Sequence, residues 1–175
     1  GDAMKYENVM IDLETMGTNN NAAIIAIGAV TFDFEGNIGP TFYETIDLAS
    51  SVENGGVMDA STVLWWMKQS GDARKEFERE GLLEYVVLEH FQEFLAQFGS
   101  DVKVWGNGAS FDNVILANAY TRWVMDKPWQ YYNDRCYRTM KGLHPEIMME
   151  REGTHHNALA DAISQAKHLQ RIMAK

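Results

Sequence analysis

Cysteine is almost missing from this 175-residue chain: Cys136 stands alone, which excludes an internal disulfide and fits a reducing cytoplasm. Structural burial, rather than reactivity, is the expected role of its thiol. Proline is scarce too, with three in all, and no linker, repeat or low-complexity tract divides the sequence. Long apolar runs are also lacking. The longest, "AAIIAIGAV" at 22–30, is far short of the ~20 residues that span a membrane and carries a glycine. No secretory signal pattern is present. Basic residues are few: 15 Lys and Arg against 25 Asp and Glu give a net charge of −10 and a pI near 4.9. That balance argues against a broad basic surface for wrapping a long duplex, and favours short or end-on substrates if a nucleic-acid site exists.

What is present suits one domain, expected over residues 4–175, with a core that buries roughly 70% of the unfolded surface. Gly1–Ala3, ahead of Met4, look like an expression remnant. Residues 6–14, 22–34 and 41–48 are rich in Val, Ile, Phe and Thr, and "EGN" separates the second from the third, which predicts an antiparallel meander. "DASTVLWWMKQSGDARKEFERE" follows as two short helices, with Asp59 or Ser61 as cap and Gly71 as the break. Val87, Leu88, Phe91, Phe94, Leu95 and Phe98 recur at helical spacing and read as core. "VKVWG" at 102–106 is a short strand, a helix begins near Ser110, and after a less regular segment a last helix runs from about Asn157 to Ala174. Three antiparallel strands followed by strands alternating with helices describe a mixed α/β domain.

Within the first strand, "NVMIDLETMG" sets Asp12 and Glu14 two residues apart in an otherwise apolar run. Strand residues i and i+2 share a face, so both carboxylates look one way while Val9, Ile11 and Leu13 look the other. Two buried carboxylates cannot comfortably stay ionised together without cations or donors between them. Chance alone gives about one Asp-x-Glu in a chain with this many acids, and a second does occur, Asp33 and Glu35. That pair abuts Gly36-Asn37, and a solvated hairpin end explains it.

Acids near later helix starts are the candidate partners. Asp112 in "WGNGASFDNVIL" follows a strand through a glycine-containing loop, the kind of place where α/β proteins build sites; an acid in a first helical turn is also stabilising in any protein. In "THHNALADAISQAKHLQRIM", Ala158, Ala162, Ala166, Leu169 and Met173 form a stripe that lets the helix lie close to the sheet, with Asp161 beside it. His155 and His156 precede that helix, while His90, His144 and His168 read as surface or packing residues.

Taken in order, these pieces resemble the DEDDh 3′-5′ exonucleases, which have a ribonuclease H-like fold. The matching residues are Asp12 and Glu14 in "DLET", Asn107, Phe111 and Asp112 in "NGASFD", and His156, Ala158 and Asp161 in "HNALAD". The family histidine lies five residues before the last acid, a position that His156 fills and His155 does not. "STVLWWMKQS" looks like the tryptophan-bearing segment of the short bacterial, phage and prophage-type members.

The resemblance implies a mixed sheet flanked by helices, and Asp12, Glu14, Asp112 and Asp161 holding two divalent cations, Mg²⁺ or Mn²⁺, as hard oxygen ligands would select. It makes His156 the general base and implies release of nucleoside 5′-monophosphates from the 3′ end of single-stranded RNA or DNA. Thr15, Met16 and Gly17 would cradle the terminal nucleotide, with Asn107 and Phe111 nearby. One of Trp65 and Trp66 is expected to be exposed for base stacking, because neighbours on a helix differ by about 100°. A ribonuclease H-type endonuclease, a nucleotide phosphatase and a catalytically silent nucleic-acid-binding module remain as rivals. Some relatives are dimers, so "RWVMDKPWQ", with two tryptophans, is open to being a homodimer interface or core.

Overall fold

The structure, a computed structural model, describes residues 6–174; the remnant expected at Gly1–Ala3 lies outside them. Five strands form one sheet: β1 (Asn8–Thr15), β2 (Ile24–Phe32), β3 (Ile38–Thr45), β4 (Lys103–Gly106) and β5 (Asp134–Cys136), in the order β3-β2-β1-β4-β5. β1 pairs antiparallel with β2, and β2 with β3, as expected of the meander. β4 then joins β1 in parallel, and β5 joins β4 in parallel. The expected mixed α/β sheet is therefore present, with β1 at its centre.

Alternation along β1 divides the core in two. Val9, Ile11 and Leu13 join a cluster with Val87, Leu88 and Phe91 of α4 (Glu84–Ala96) and Ile115 and Leu116 of α5 (Asp112–Arg122). Met10, on the face that also carries Asp12 and Glu14, packs with Ala162, Ala166 and Leu169 of α7 (Ala158–Met173). Hydrophobic burial on both faces makes the central strands nearly dry, and all nine residues of β2 are buried.

Four elements depart from the pattern of the sequence. α1 (Leu48–Glu53) is only six residues long, though its cap is regular: Asp47 Oδ2 accepts from the Ser50 amide at 3.0 Å. β5 and α6 (Tyr137–Leu143) occupy the segment expected to be less regular, because a three-residue edge strand and a helix of two turns are too short for periodicity to register. The third strand starts and ends three residues before its expected span, at 38–45 instead of 41–48. α2 (Ala60–Met67) and α3 (Gly71–Arg74) are the two short helices expected. Asp59 occupies the cap position of α2, but its carboxylate serves the Thr18 amide instead, at 3.0 Å.

Several side chains settle open expectations. Asp33 Oδ1 accepts from the amides of Glu35 and Asn37 at 3.0 and 2.9 Å, and Gly36 has a φ of +94°, so Asp33 and Glu35 do form a hairpin turn. Trp129 is buried in the core and half-buried Trp123 packs against it, their indole N–H groups donating to Asp134 and Glu84 at 2.8 and 2.7 Å. Half-buried Cys136 accepts from the Ala109 amide at 3.4 Å, a structural use of its sulfur.

The approach of α7 to the sheet depends on Gly28, which faces Asp12 across the β1–β2 ladder. A Cβ built there would stand 2.3 Å from the Ala158 carbonyl carbon and 2.5 Å from the Leu159 nitrogen, both backbone atoms that cannot move aside alone. Gly28→Ala should destabilise the fold by about 1–3 kcal/mol or more. Thermal melts should register roughly 2–4 °C per kcal/mol, and an unchanged melting temperature would show that the helix start is not clamped on β2.

Candidate active site

At the C-terminal end of β1 the ladder with β2 shifts register between Glu14 and Thr15, and the chain leaves the sheet with both acids on the α7 side. α7 begins at this level. Asn157 caps it through Oδ1, which accepts from the Ala160 amide at 3.0 Å, and its first turn delivers Asp161. Asp12, Glu14 and Asp161 then each offer a carboxylate oxygen within 4.8 Å of the others. Gln165, one turn beyond Asp161, donates to Asp12 Oδ1 at 3.1 Å.

Asp112 arrives from the loop after β4, buried at the start of α5. Its two oxygens accept the Leu13 and Asn107 amides at 3.1 and 2.9 Å, and it sits close enough to Asp12 for their charges to oppose each other. It lies behind the other three rather than among them, tying the β4 loop to β1. Burial pushes the Asp12 and Glu14 carboxyls well up, reinforced by the neighbouring acids, and lifts Asp112 to about 7 and Asp161 above its usual range. One Glu14 oxygen is buried with no hydrogen-bond partner among the described residues. Converging carboxylates with an orphaned oxygen form a donor set that suits hard divalent cations.

The two histidines flank this cluster. His156 adopts a φ of +65°, and its amide donates to Asp161 Oδ2 at 3.1 Å. Its ring stacks on that of His155 at 3.6 Å and meets Trp65 edge-on at 4.7 Å. Burial, then the His155 and Arg151 charges, lowers it to about 4, so it is neutral near pH 7. His155 lies 3.6 Å from Asp161 Oδ1 and contacts Arg151 at 2.6 Å. Both histidines thus line the cleft, with His156 the more enclosed. Asn157 continues inward: its Nδ2 donates to buried Glu76 at 2.7 Å, and Glu76 also accepts from the Tyr43 hydroxyl. Glu76 thereby links the α2–α3 hairpin to the start of α7.

The two tryptophans divide as helix geometry requires. Trp66 is 3% exposed and donates from Nε1 to the Thr15 carbonyl at 2.9 Å, whereas Trp65 is 42% exposed and walls the cleft. The cleft, of about 380 Å³, also meets Asn107 and Phe111. A neighbouring hollow of about 350 Å³ is lined by Thr15, Gly17, Ser61 and Thr62, and shares Trp65 and Phe111 with the cleft.

Met16 departs from its expected role in the cradle. Its side chain packs with Ala23, Ile25 and Trp66, and its backbone amide and carbonyl are bonded to Ala23 and Asp59, so it supports the loop from beneath. The sequence reading also missed the basic side of the cleft, Arg138, Lys141 and Arg151, which no motif marks. Gln165 was legible in principle, since i and i+4 on a helix share a face.

A carboxylate cluster beside a histidine thus stands at the end of the central strand of the mixed sheet. The chain belongs to the family of the 3′-5′ exoribonuclease Rv2179c-like domain, whose model matches residues 7–173; the family is one of phosphodiester hydrolases. It is 28% identical to an exodeoxyribonuclease of Enterobacteria phage T4, over 74% of this chain and 68% of that one. Among solved structures it resembles a zinc-bound complex of E. coli exonuclease I with single-stranded DNA, at 16% identity, a TM-score of 0.71 and 95% coverage of this chain. Exonuclease I from Methylocaldum szegediense aligns at 17% identity, a TM-score of 0.65 and 96% coverage. These likenesses establish the fold, and the chain spans about 40% of the length of either exonuclease I. Among the described residues no helix is long and apolar enough to cross a membrane.

The raised carboxyls give a pH test on the metal-free protein. Their folded pKa values lie above the unfolded ones, near 4, so the stability they contribute is lost as pH rises from about 4 through the Asp112 value of about 7. In EDTA, the melting temperature should rise as pH is lowered from 7.5 to 5.5. His156 and His168, held below their ordinary value, act in the opposite sense over this interval, so a fall in the His156→Ala variant as well would contradict the burial of the carboxyls.

Proposed function

We propose that this chain, with residues 4–175 as one exonuclease domain, is a divalent-cation-dependent 3′-5′ exonuclease acting on the end of a single strand. The observation that carries the reading is the convergence of Asp12, Glu14 and Asp161 within 4.8 Å, bordered by His156. The family supports the reaction class, and the single-stranded DNA in the exonuclease I complexes supports the form of substrate.

Asp12, Glu14 and Asp161 would hold two cations, Mg²⁺ or Mn²⁺. Asp112 would contribute a lone pair left over from its two amide bonds. When bound, such cations neutralise the carboxylates and polarise the attacking and leaving oxygens of an in-line displacement. The chain's own groups do the rest. Neutral His156 accepts the proton of the attacking water at a ring nitrogen, and the Trp65 and His155 rings hold it in place. The hollow between Thr15, Gly17 and Phe111 receives the terminal nucleoside, with Trp65 as a stacking surface worth roughly 1–3 kcal/mol per base. Water attack at the last phosphodiester then releases a nucleoside 5′-monophosphate. The family's name favours RNA and the phage relative's name favours DNA, so the sugar is part of the test.

A time course on short 5′-labelled RNA and DNA strands, with Mg²⁺, Mn²⁺ or EDTA, should give a metal-dependent ladder shortening by single nucleotides from the 3′ end. Internal cuts would indicate an endonuclease, inorganic phosphate as product a phosphatase, and intact strands a binding module. Asp12→Ala and Asp161→Ala should abolish hydrolysis with the fold retained, while Asp33→Ala, in its turn, should be nearly silent. Equal losses at Asp12 and Asp33 would undo the site assignment. His156→Ala should lower kcat by about 10²–10⁴-fold with less effect on metal binding; a larger loss in His155→Ala would transfer the base to that residue.

A further inference from the structure

In a chain of net charge −10, three cationic side chains gather on one wall of the carboxylate cleft. Arg138 and Lys141 stand one turn apart on α6, and Arg151 comes from the loop before α7. Arg138 spends one N–H on the Asn107 carbonyl, at 3.0 Å, which leaves most of its guanidinium free. Lys141 lies 5.2 Å over the Tyr137 ring. Burial, then the charges of Arg138 and Arg151, holds the Lys141 ammonium below its usual range. Arg151 is partly engaged, 3.7 Å from Asp161. The carboxylates of the cleft take part of this positive charge, Arg151 facing Asp161 and Arg138 acting on Asp112, and the remaining N–H donors are available to a phosphate.

The layout gives that anion a direction. The hollow lined by Thr15, Ser61 and Thr62 lies beyond Trp65 and Phe111 and contains none of the three cations. The cations therefore share the carboxylate cleft and are absent from the hollow, which meets that cleft at Trp65 and Phe111. We infer that Arg138 and Lys141 bind the phosphates of the nucleotides on the 5′ side of the scissile bond, making α6 the track along which a single strand enters. The inference rests on the exonuclease reading for its polarity, and it assigns substrate grip to residues outside the family motifs. Each contact is electrostatic and blind to base.

The test separates binding from hydrolysis. A 5′-fluorescein single-stranded heptamer, as RNA and as DNA, is titrated by anisotropy in Ca²⁺ over a range of KCl. Removing the cation that neutralises one phosphate should make the slope of log K against log salt shallower by about 0.7. Lys141→Ala and Arg138→Gln should each show one such step, the double variant two, and Arg138→Lys should largely retain the wild-type slope. In parallel, hydrolysis of the heptamer should fall at least tenfold more than hydrolysis of thymidine 5′-p-nitrophenyl phosphate, which has no nucleotide on the 5′ side. Unchanged salt slopes, equal losses on the two substrates, or Arg138→Lys as impaired as Arg138→Gln would each overturn the track. Variants that show the expected slope changes in a protein that releases no nucleotide would overturn the exonuclease reading and, with it, the 5′ polarity of the track, leaving only the phosphate contacts.

Discussion

The rest of the structure is arranged around one unfavourable contact: acidic side chains made to share the same buried end of a strand. Asp12 and Glu14 cannot separate, because the strand repeat fixes them on one face, and Asp161 is brought against them by a helix that could have lain elsewhere. Holding such groups together requires backbone that does not yield. β1 supplies it by standing in the middle of the sheet, hydrogen-bonded on both sides and covered on both faces. Gly28 and the alanines of α7 supply the second requirement, an approach close enough for a helix-borne acid to reach strand-borne ones.

The same constraint explains the polar groups around the site. Gln165 places an amide on Asp12, the Leu13 and Asn107 amides occupy Asp112, and the His156 amide meets Asp161. Each donor lowers the cost of a buried carboxylate without closing the space between them. Glu14 is served least, keeping one oxygen with no partner among the described residues. The cluster is thus stabilised around its edges, by amide donors and by Arg151 and His155 beside Asp161.

How much of this was legible depended on how local each signal was. Asp12 and Glu14 stood out because polar residues interrupt an apolar strand, and Asp161 because it borders a small-residue stripe; both are properties of one element. The placing of Trp66 against Trp65 was not local: it turns on the Thr15 carbonyl, 51 residues away in the chain, which takes the Trp66 N–H. Met16 misled for a similar reason. A residue in a loop beside a site can point into solvent or beneath the loop, and the apolar floor made by Ala23, Ile25 and Trp66 decided it. β5 and α6 were illegible because they are short and their stability comes from β4 and α7, with no periodicity of their own to display.

α6 shows what such illegibility can conceal. Tyr137, its first residue, is fully buried and joins Met10, Trp105 and Ala166 in the core, and its hydroxyl lies 2.6 Å from buried His168 of α7. That anchor fixes the helix from below, so the next turn has no freedom to turn Arg138 and Lys141 away from the cleft. The basic wall is therefore held by the same core face that holds Asp161. Negative charge at the bottom of the cleft and positive charge on its wall are built from adjacent parts of one packing arrangement. In a chain of net charge −10, this pairing gives the cleft a field of mixed sign in place of a uniformly negative one.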